Sequence, residues 1–142
     1  MKPTAIARGR VLSAVALLGA LLGLAASLAS TQPAMGQQGN AENGEDIFKK
    51  CRACHDVGAD AKNKVGPMLT GILGRKSGTV EGFTYSEANK AAGVAGLVWT
   101  EAELLKYLAD PRAYMPGNKM AFVGLKDEQD RLDVLADLKA AK

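Results

Sequence analysis

The stretch KKCRACHDVG, residues 49–58, holds both cysteines of the chain and its only histidine. All three fall within five positions, Cys51 to His55, and four kinds of chemistry compete for them. A structural zinc site takes four Cys or His ligands, and the whole chain supplies three. A redox dithiol of the thioredoxin type sits at a helix start among βαβ units. Here the pair comes late in a helical pattern, and no sustained strand alternation is present. A disulfide suits an even cysteine count in an exported chain. Closing a loop of two intervening residues constrains little chain, however, and it leaves His55 without a role.

The fourth reading uses all three residues. C-x-x-C-H is the covalent haem attachment sequence. On a helix, positions 51 and 54 lie one turn apart on the same face, so both thiols reach one edge of a porphyrin. His55 then falls under the iron and binds it through a ring nitrogen. The sixth ligand cannot be a second histidine of the same chain. Methionine is the soft candidate, and beyond the first 36 residues these are Met68, Met115 and Met120. In DPRAYMPGNKMAFVG the Pro116-Gly117 turn can carry a following side chain back over the far haem face. Spacing favours Met120 and leaves Met115 as its rival, while packing is the ordinary use of any methionine.

Working toward the N-terminus, Lys2, Arg8 and Arg10 precede a stretch from Val11 to Ala41 without a charge. A basic start followed by an apolar run is the layout of a secretory signal. Cleavage is expected after Gly36, with Ala29 as the other small-residue site. That makes residues 1–36 a signal peptide and 37–142 one domain, placed in the periplasm. The alternative is an uncleaved anchor, since Val11–Ala29 is just long enough to span a bilayer. The full chain carries 18 Lys and Arg against 15 Asp and Glu; without the three leader cations residues 37–142 balance at 15 each. A neutral domain gives no general attraction to nucleic acid.

The domain reads as helices joined by glycine-rich loops. NAENGEDIFKKCRAC places Ile47, Phe48, Cys51 and Cys54 on one helical face, with Asn40 as N-cap. A long loop without strand patterning runs from Asp56 to about Phe83. YSEANKAAG holds a short helix. TEAELLKYLADP opens with a Thr100–Glu103 capping box and stops at Pro111. The last helix spans about Asp127 to Lys139, with Val134, Leu135 and Leu138 inward. Three Phe, one Trp and three Tyr are few large residues for such a domain, so something else is expected at its centre.

The segments GEDIFKKCRACH, KVGPMLTGILGRKSG, GFTYSEANK, LVWTEAELLKYLADP and YMPGNKMAFVG, in this order, resemble class I cytochromes c of the mitochondrial and bacterial c2 types. The resemblance covers nearly all of residues 40–142. It implies an all-α fold of about four to five helices and long loops around one haem c, bound covalently through Cys51 and Cys54. It implies His55 and Met120 as iron ligands and leaves Met115 to packing. It further implies that Pro67 accepts from the His55 ring and that Arg75, Tyr85 and Trp99 hold the haem propionates. Asn89 and Tyr107 lie near Met120, Phe122 closes the pocket, and Gly44 lets the first and last helices cross closely. Three features depart from the family: Asp137 in place of a frequent tyrosine, Asn118 in place of a frequent threonine, and a longer AGVAGLVW segment.

The function that follows is electron transfer rather than catalysis. A His/Met-ligated haem iron has no open position and changes little in geometry on gaining an electron. The expected carrier is a monomer that takes electrons from a membrane complex such as cytochrome bc1. It passes them to a terminal oxidase, a photosynthetic reaction centre or another redox protein. Lys49, Lys50, Arg52, Lys64, Arg112, Lys119 and Lys126 form the expected docking front, opposite an acidic last helix. The competing reading is a haem peroxidase or gas-binding sensor in which Met120 stays off the iron.

Overall fold

The computed structural model describes residues 38–141. The leader, its cleavage sites and the anchor alternative lie outside the described residues. Asn40 caps the first helix, α1 (Ala41–Phe48), by accepting from the Asn43 amide at 3.0 Å. The remaining helices are α2 (Glu87–Val94), α3 (Glu101–Ala109), α4 (Pro111–Tyr114) and α5 (Glu128–Ala140). Ser86, Thr100, Asp110 and Asp127 cap these four, each accepting from a free first-turn amide.

Local differences from the sequence reading have local causes. The Thr100–Glu103 capping box is half made. Thr100 Oγ1 accepts from the Glu103 amide, but the Thr100 amide is bonded to the Val98 carbonyl. The Glu103 carboxylate serves Lys106 and the Tyr114 hydroxyl instead. Pro111 ends α3 as expected and also opens α4 as its first residue, where a missing N–H costs nothing. Among the described residues there is no strand, only an isolated bridge between Lys76 and Val98. It is flanked by bonds from Gly74 to Trp99 and from Ser77 to Leu97.

The core gathers Phe48 of α1, Leu104 and Tyr107 of α3, and Val134, Leu135 and Leu138 of α5, with Ile72, Trp99, Met115 and Leu125 from the loops. Its largest helix contact is between α1 and α5. The two backbones touch at Gly44, where an added Cβ would collide with the Asp133 carbonyl oxygen and lie 2.9 Å from the Asp137 Cβ. Close-packed interiors cannot open to admit such an atom without losing neighbouring contacts. Gly39 approaches the Leu132 carbonyl in the same way. The chain entering α1 is tied to α5 as well: the Asn40 amide donates to Asp133 Oδ1 at 2.8 Å, and Gln129 Nε2 reaches the same oxygen at 2.6 Å.

These contacts give two carboxylates on α5 opposite behaviour. The Asn40 amide, with the Gln129 and Asn43 side chains, holds Asp133 below the usual carboxylate range. Asp137 has no such donors. Burial at the crossing and the nearby Glu45 carboxylate push its carboxyl up, against a smaller pull from Arg52. A raised carboxyl means the folded state keeps the proton more tightly than the unfolded one, so ionising Asp137 opposes folding.

Asp137→Asn is therefore expected to raise the Tm at pH 7, and the gain should vanish below about pH 4, where the unfolded carboxyl is also protonated. Equal Tm for parent and variant across that range would refute the assignment. Gly44→Ala is expected to cost about 2–3 kcal/mol, near the top of the usual overpacking range. Chemical denaturation of the haem-loaded protein measures it.

Candidate haem site

The Cys51–His55 stretch leaves α1 as tight turns rather than as more helix. The Cys51 and Arg52 amides bond the Phe48 carbonyl, and the Cys54 and His55 amides bond that of Cys51. No disulfide joins the two cysteines. Burial pushes the Cys51 thiol up to about 11, against a smaller pull from Lys50. That is opposite to the lowered thiol of a redox dithiol. No three of His, Cys, Asp and Glu converge as a metal cluster among the described residues.

His55 is fixed from two sides. Its Nδ1 lies 2.7 Å from the Pro67 carbonyl oxygen. A carbonyl only accepts, so Nδ1 carries the proton and Nε2 keeps its lone pair. Burial lowers the affinity of the ring for a second proton; the Pro67 carbonyl works against this and Lys64 with it. On the other side Gly66 is pressed against the imidazole: a Cβ there would collide with Cε1 and stand 2.8 Å from both ring nitrogens. Lys64 Nζ holds the attachment turn from outside, donating to the Arg52 carbonyl at 2.7 Å and to the His55 carbonyl at 3.4 Å.

Across the domain, Met120 is presented by the arm that follows α4. The Tyr107 hydroxyl of α3 donates to Met120 Sδ at 3.4 Å, and burial raises that phenol to about 12. Met115 is packed in the core at 6% exposure. Met68 sits in the 56–83 loop with its amide on Asn63 Oδ1. Of the three, only Met120 lines the cleft that His55 lines.

That cleft, of ≈ 270 Å³, has mostly apolar walls, among them Leu69, Ile72, Leu104, Leu108, Val134 and Leu138. Cys51, Cys54, Pro67, Tyr85, Asn89, Trp99, Tyr107 and Phe122 also face it. Arg75 does not. Its guanidinium donates to the Met68 carbonyl at 2.9 Å and to that of Thr70, and it is electrostatically coupled to Tyr85. Asn89 is anchored by Ser86 Oγ and Ser77 Oγ. The expected docking cations are largely engaged. Lys49 pairs with Asp46, Lys50 with Asp130, Arg52 with Glu45, and Lys126 with Asp110 and the Ala109 carbonyl. Lys119 lies at the rim of the cleft.

No family model matches the chain. The cytochrome c2 of Blastochloris viridis is 50% identical over 119 residues, which span 84% of this chain and 90% of that protein. The cytochrome c-550 of Nitrobacter winogradskyi is 53% identical over 92 residues, 65% of this chain and 82% of the relative. The structure of cytochrome c2 from Rhodospirillum centenum superposes with a TM-score of 0.69 at 48% identity, covering 72% of this chain and 98% of that one. The chain belongs to the class I cytochrome c family. It is an electron-transfer protein and not an enzyme, and it carries haem c covalently on Cys51 and Cys54.

The residues present fit that group: two cysteines, not joined by a disulfide, line an apolar cleft together with an imidazole whose outer nitrogen is already satisfied and a thioether. Two contributors to this cytochrome site escaped the sequence reading. Gly66 sits inside KVGP, directly before the expected Pro67, but nothing in one sequence tells that a histidine ring lies against it. The apolar wall supplied by Ile72, Leu104, Val134 and Leu138 reads along the chain as ordinary helix and loop core.

Any side chain at position 66 meets the ring. Gly66→Ala is therefore expected to lose about 1–3 kcal/mol of unfolding free energy, with Gly66→Ser equally affected. Variants as stable as the parent in denaturant would show that the imidazole can step aside.

Proposed function

We propose that this cytochrome is an exported, periplasmic one-electron carrier whose haem iron is held between His55 and Met120. The observation that carries the reading is that Met120, alone among the three methionines of the domain, shares a cleft with the imidazole. The bound haem supplies the one-electron couple. Pro67 and Gly66 fix the tautomer and plane of His55, so Nε2 needs no reorientation to serve as a ligand. Tyr107 orients the Met120 sulfur through its hydroxyl, and the leucine-rich wall keeps water from the metal. A soft thioether favours reduced iron and raises the potential.

Tyr85 and Trp99 are assigned to the propionates, since buried carboxylates need partners. Arg75, electrostatically coupled to Tyr85, is assigned to the same propionates through the guanidinium donors that the Met68 and Thr70 carbonyls leave free. Phe122 and Asn89 complete the pocket. Residues 1–36 are the leader, removed on export, and residues 37–142 are the carrier; among the described residues no helix is long and apolar enough to cross a membrane. The monomer exchanges electrons with a quinol-oxidising complex such as cytochrome bc1 and with an oxidase or a reaction centre. Lys119 and Arg112, together with the exposed Lys49, Lys50, Arg52, Lys64 and Lys126, orient the encounter with an acidic partner.

The purified ferric protein should show the weak far-red band of methionine–iron ligation, and the ferrous protein should ignore carbon monoxide. Met120→Ala should lose the band and bind the gas readily. An unmodified ferrous protein that takes up carbon monoxide at neutral pH would refute the carrier and favour a gas-binding sensor. The intact mass of the periplasmic product should equal residues 37–142 plus one haem.

A further inference from the structure

We propose that Asn118 is the positioning residue of the Met120 arm, a single amide that ties the end of α4 to the methionine backbone and sets how far the sulfur reaches into the cleft. The inference rests on Met120 being the iron ligand. Asn118 Nδ2 donates to the Pro111 carbonyl and to the Met115 carbonyl, both at 2.7 Å. Its Oδ1 accepts from the Met120 amide at 2.8 Å. The Pro111 carbonyl, at the first residue of α4, also accepts from the Met115 amide, and the Met115 carbonyl also accepts from the Asn118 amide, so the side chain fills the remaining acceptor position of each.

The arm has little else to hold it. Among the described residues, positions 119–124 take part in no backbone–backbone hydrogen bond. Gly117 turns the chain at φ +84, and Met115, packed in the core, anchors the arm's start. Between that anchor and Leu125, whose amide bonds the Leu108 carbonyl at 2.7 Å, the Asn118 amide gives the Met120 backbone its hydrogen bond. The side chain must supply two donors and an acceptor in one plane. Only a primary amide of this length does so. Threonine has one donor, and aspartate has none and would place an anion against two carbonyls. Asparagine at this position, a departure from the family's frequent threonine, therefore changes how the ligand loop is held.

The test uses the haem-loaded protein with Asn118→Asp, Asn118→Leu and Asn118→Thr, and Asp133→Asn as a destabilised control far from the arm. In the ferric state the pH midpoint for loss of the far-red band should fall by about one unit in the Asp and Leu variants, a tenfold easier release of sulfur. Their ferrous forms should begin to bind carbon monoxide. The control should lose stability without moving that midpoint. If the Asn118 variants follow the control, keeping the midpoint at equal loss of Tm, the positioning role is refuted. Met120→Ala separates the two readings: a band that persists in that variant overturns the ligand assignment itself, whatever Asn118 does. Should the Leu variant fail to fold, the near-isosteric Asp variant decides the question alone.

Discussion

The crossing of α1 over α5 at Gly44 governs where the haem-binding turn begins. Two helix backbones in direct contact leave no freedom in depth, and the Asn40–Asp133 bond removes freedom along the axis. Phe48, at 1% exposure, closes the same interface. Its carbonyl accepts from Cys51 and Arg52, so the attachment turn starts from an immobile atom. The turn that carries Cys51, Cys54 and His55 is built outward from that point. Asp137 shows what the closeness costs, because a carboxylate there is only partly solvated and is given no donors.

The two sides of the cleft are held by different physics. On the histidine side the constraint is steric and local: a glycine and a proline twelve residues away trap one ring between a backbone face and a carbonyl. On the methionine side the chain is loop without a backbone ladder, and side chains do the holding. The Tyr107 hydroxyl addresses the sulfur, and the Asn118 amide addresses the backbone. A hydrogen-bonded arm contributes order in increments of about 1 kcal/mol per bond, whereas a steric trap tolerates almost no change. This asymmetry makes the methionine side the one that small substitutions can tune.

Charge on the surface is spent mostly at home. Lys64 closes the turn that carries the cysteines and His55, and Lys126 pins the loop after the arm to the end of α3. Exposed pairs such as Lys49–Asp46 contribute little stability, but they moderate the field a partner meets. The proposed docking front is thus weaker than a count of its cations implies, and Lys119, which lines the cleft, is in no ion pair among the described residues.

The sequence by itself determined the chemistry. Cys51, Cys54 and His55 in that order and spacing leave few alternatives, and the helix caps at Asn40 and Thr100 are local signals that one turn of chain can satisfy. The resemblance to cytochromes c located Met120 and the cavity residues, most of which the fold brings to one cleft. Only the tertiary structure decided which groups were free to serve it. Arg75 was turned onto the 68–70 backbone, Glu103 was drawn from its capping box by Tyr114, Gly66 met an imidazole, and Asn118 became a three-way tie. Each depends on a partner at least five residues away or on a competition between partners. A hydrogen-bonding side chain or a glycine announces what it can do, but the atoms that reach it first are fixed by packing.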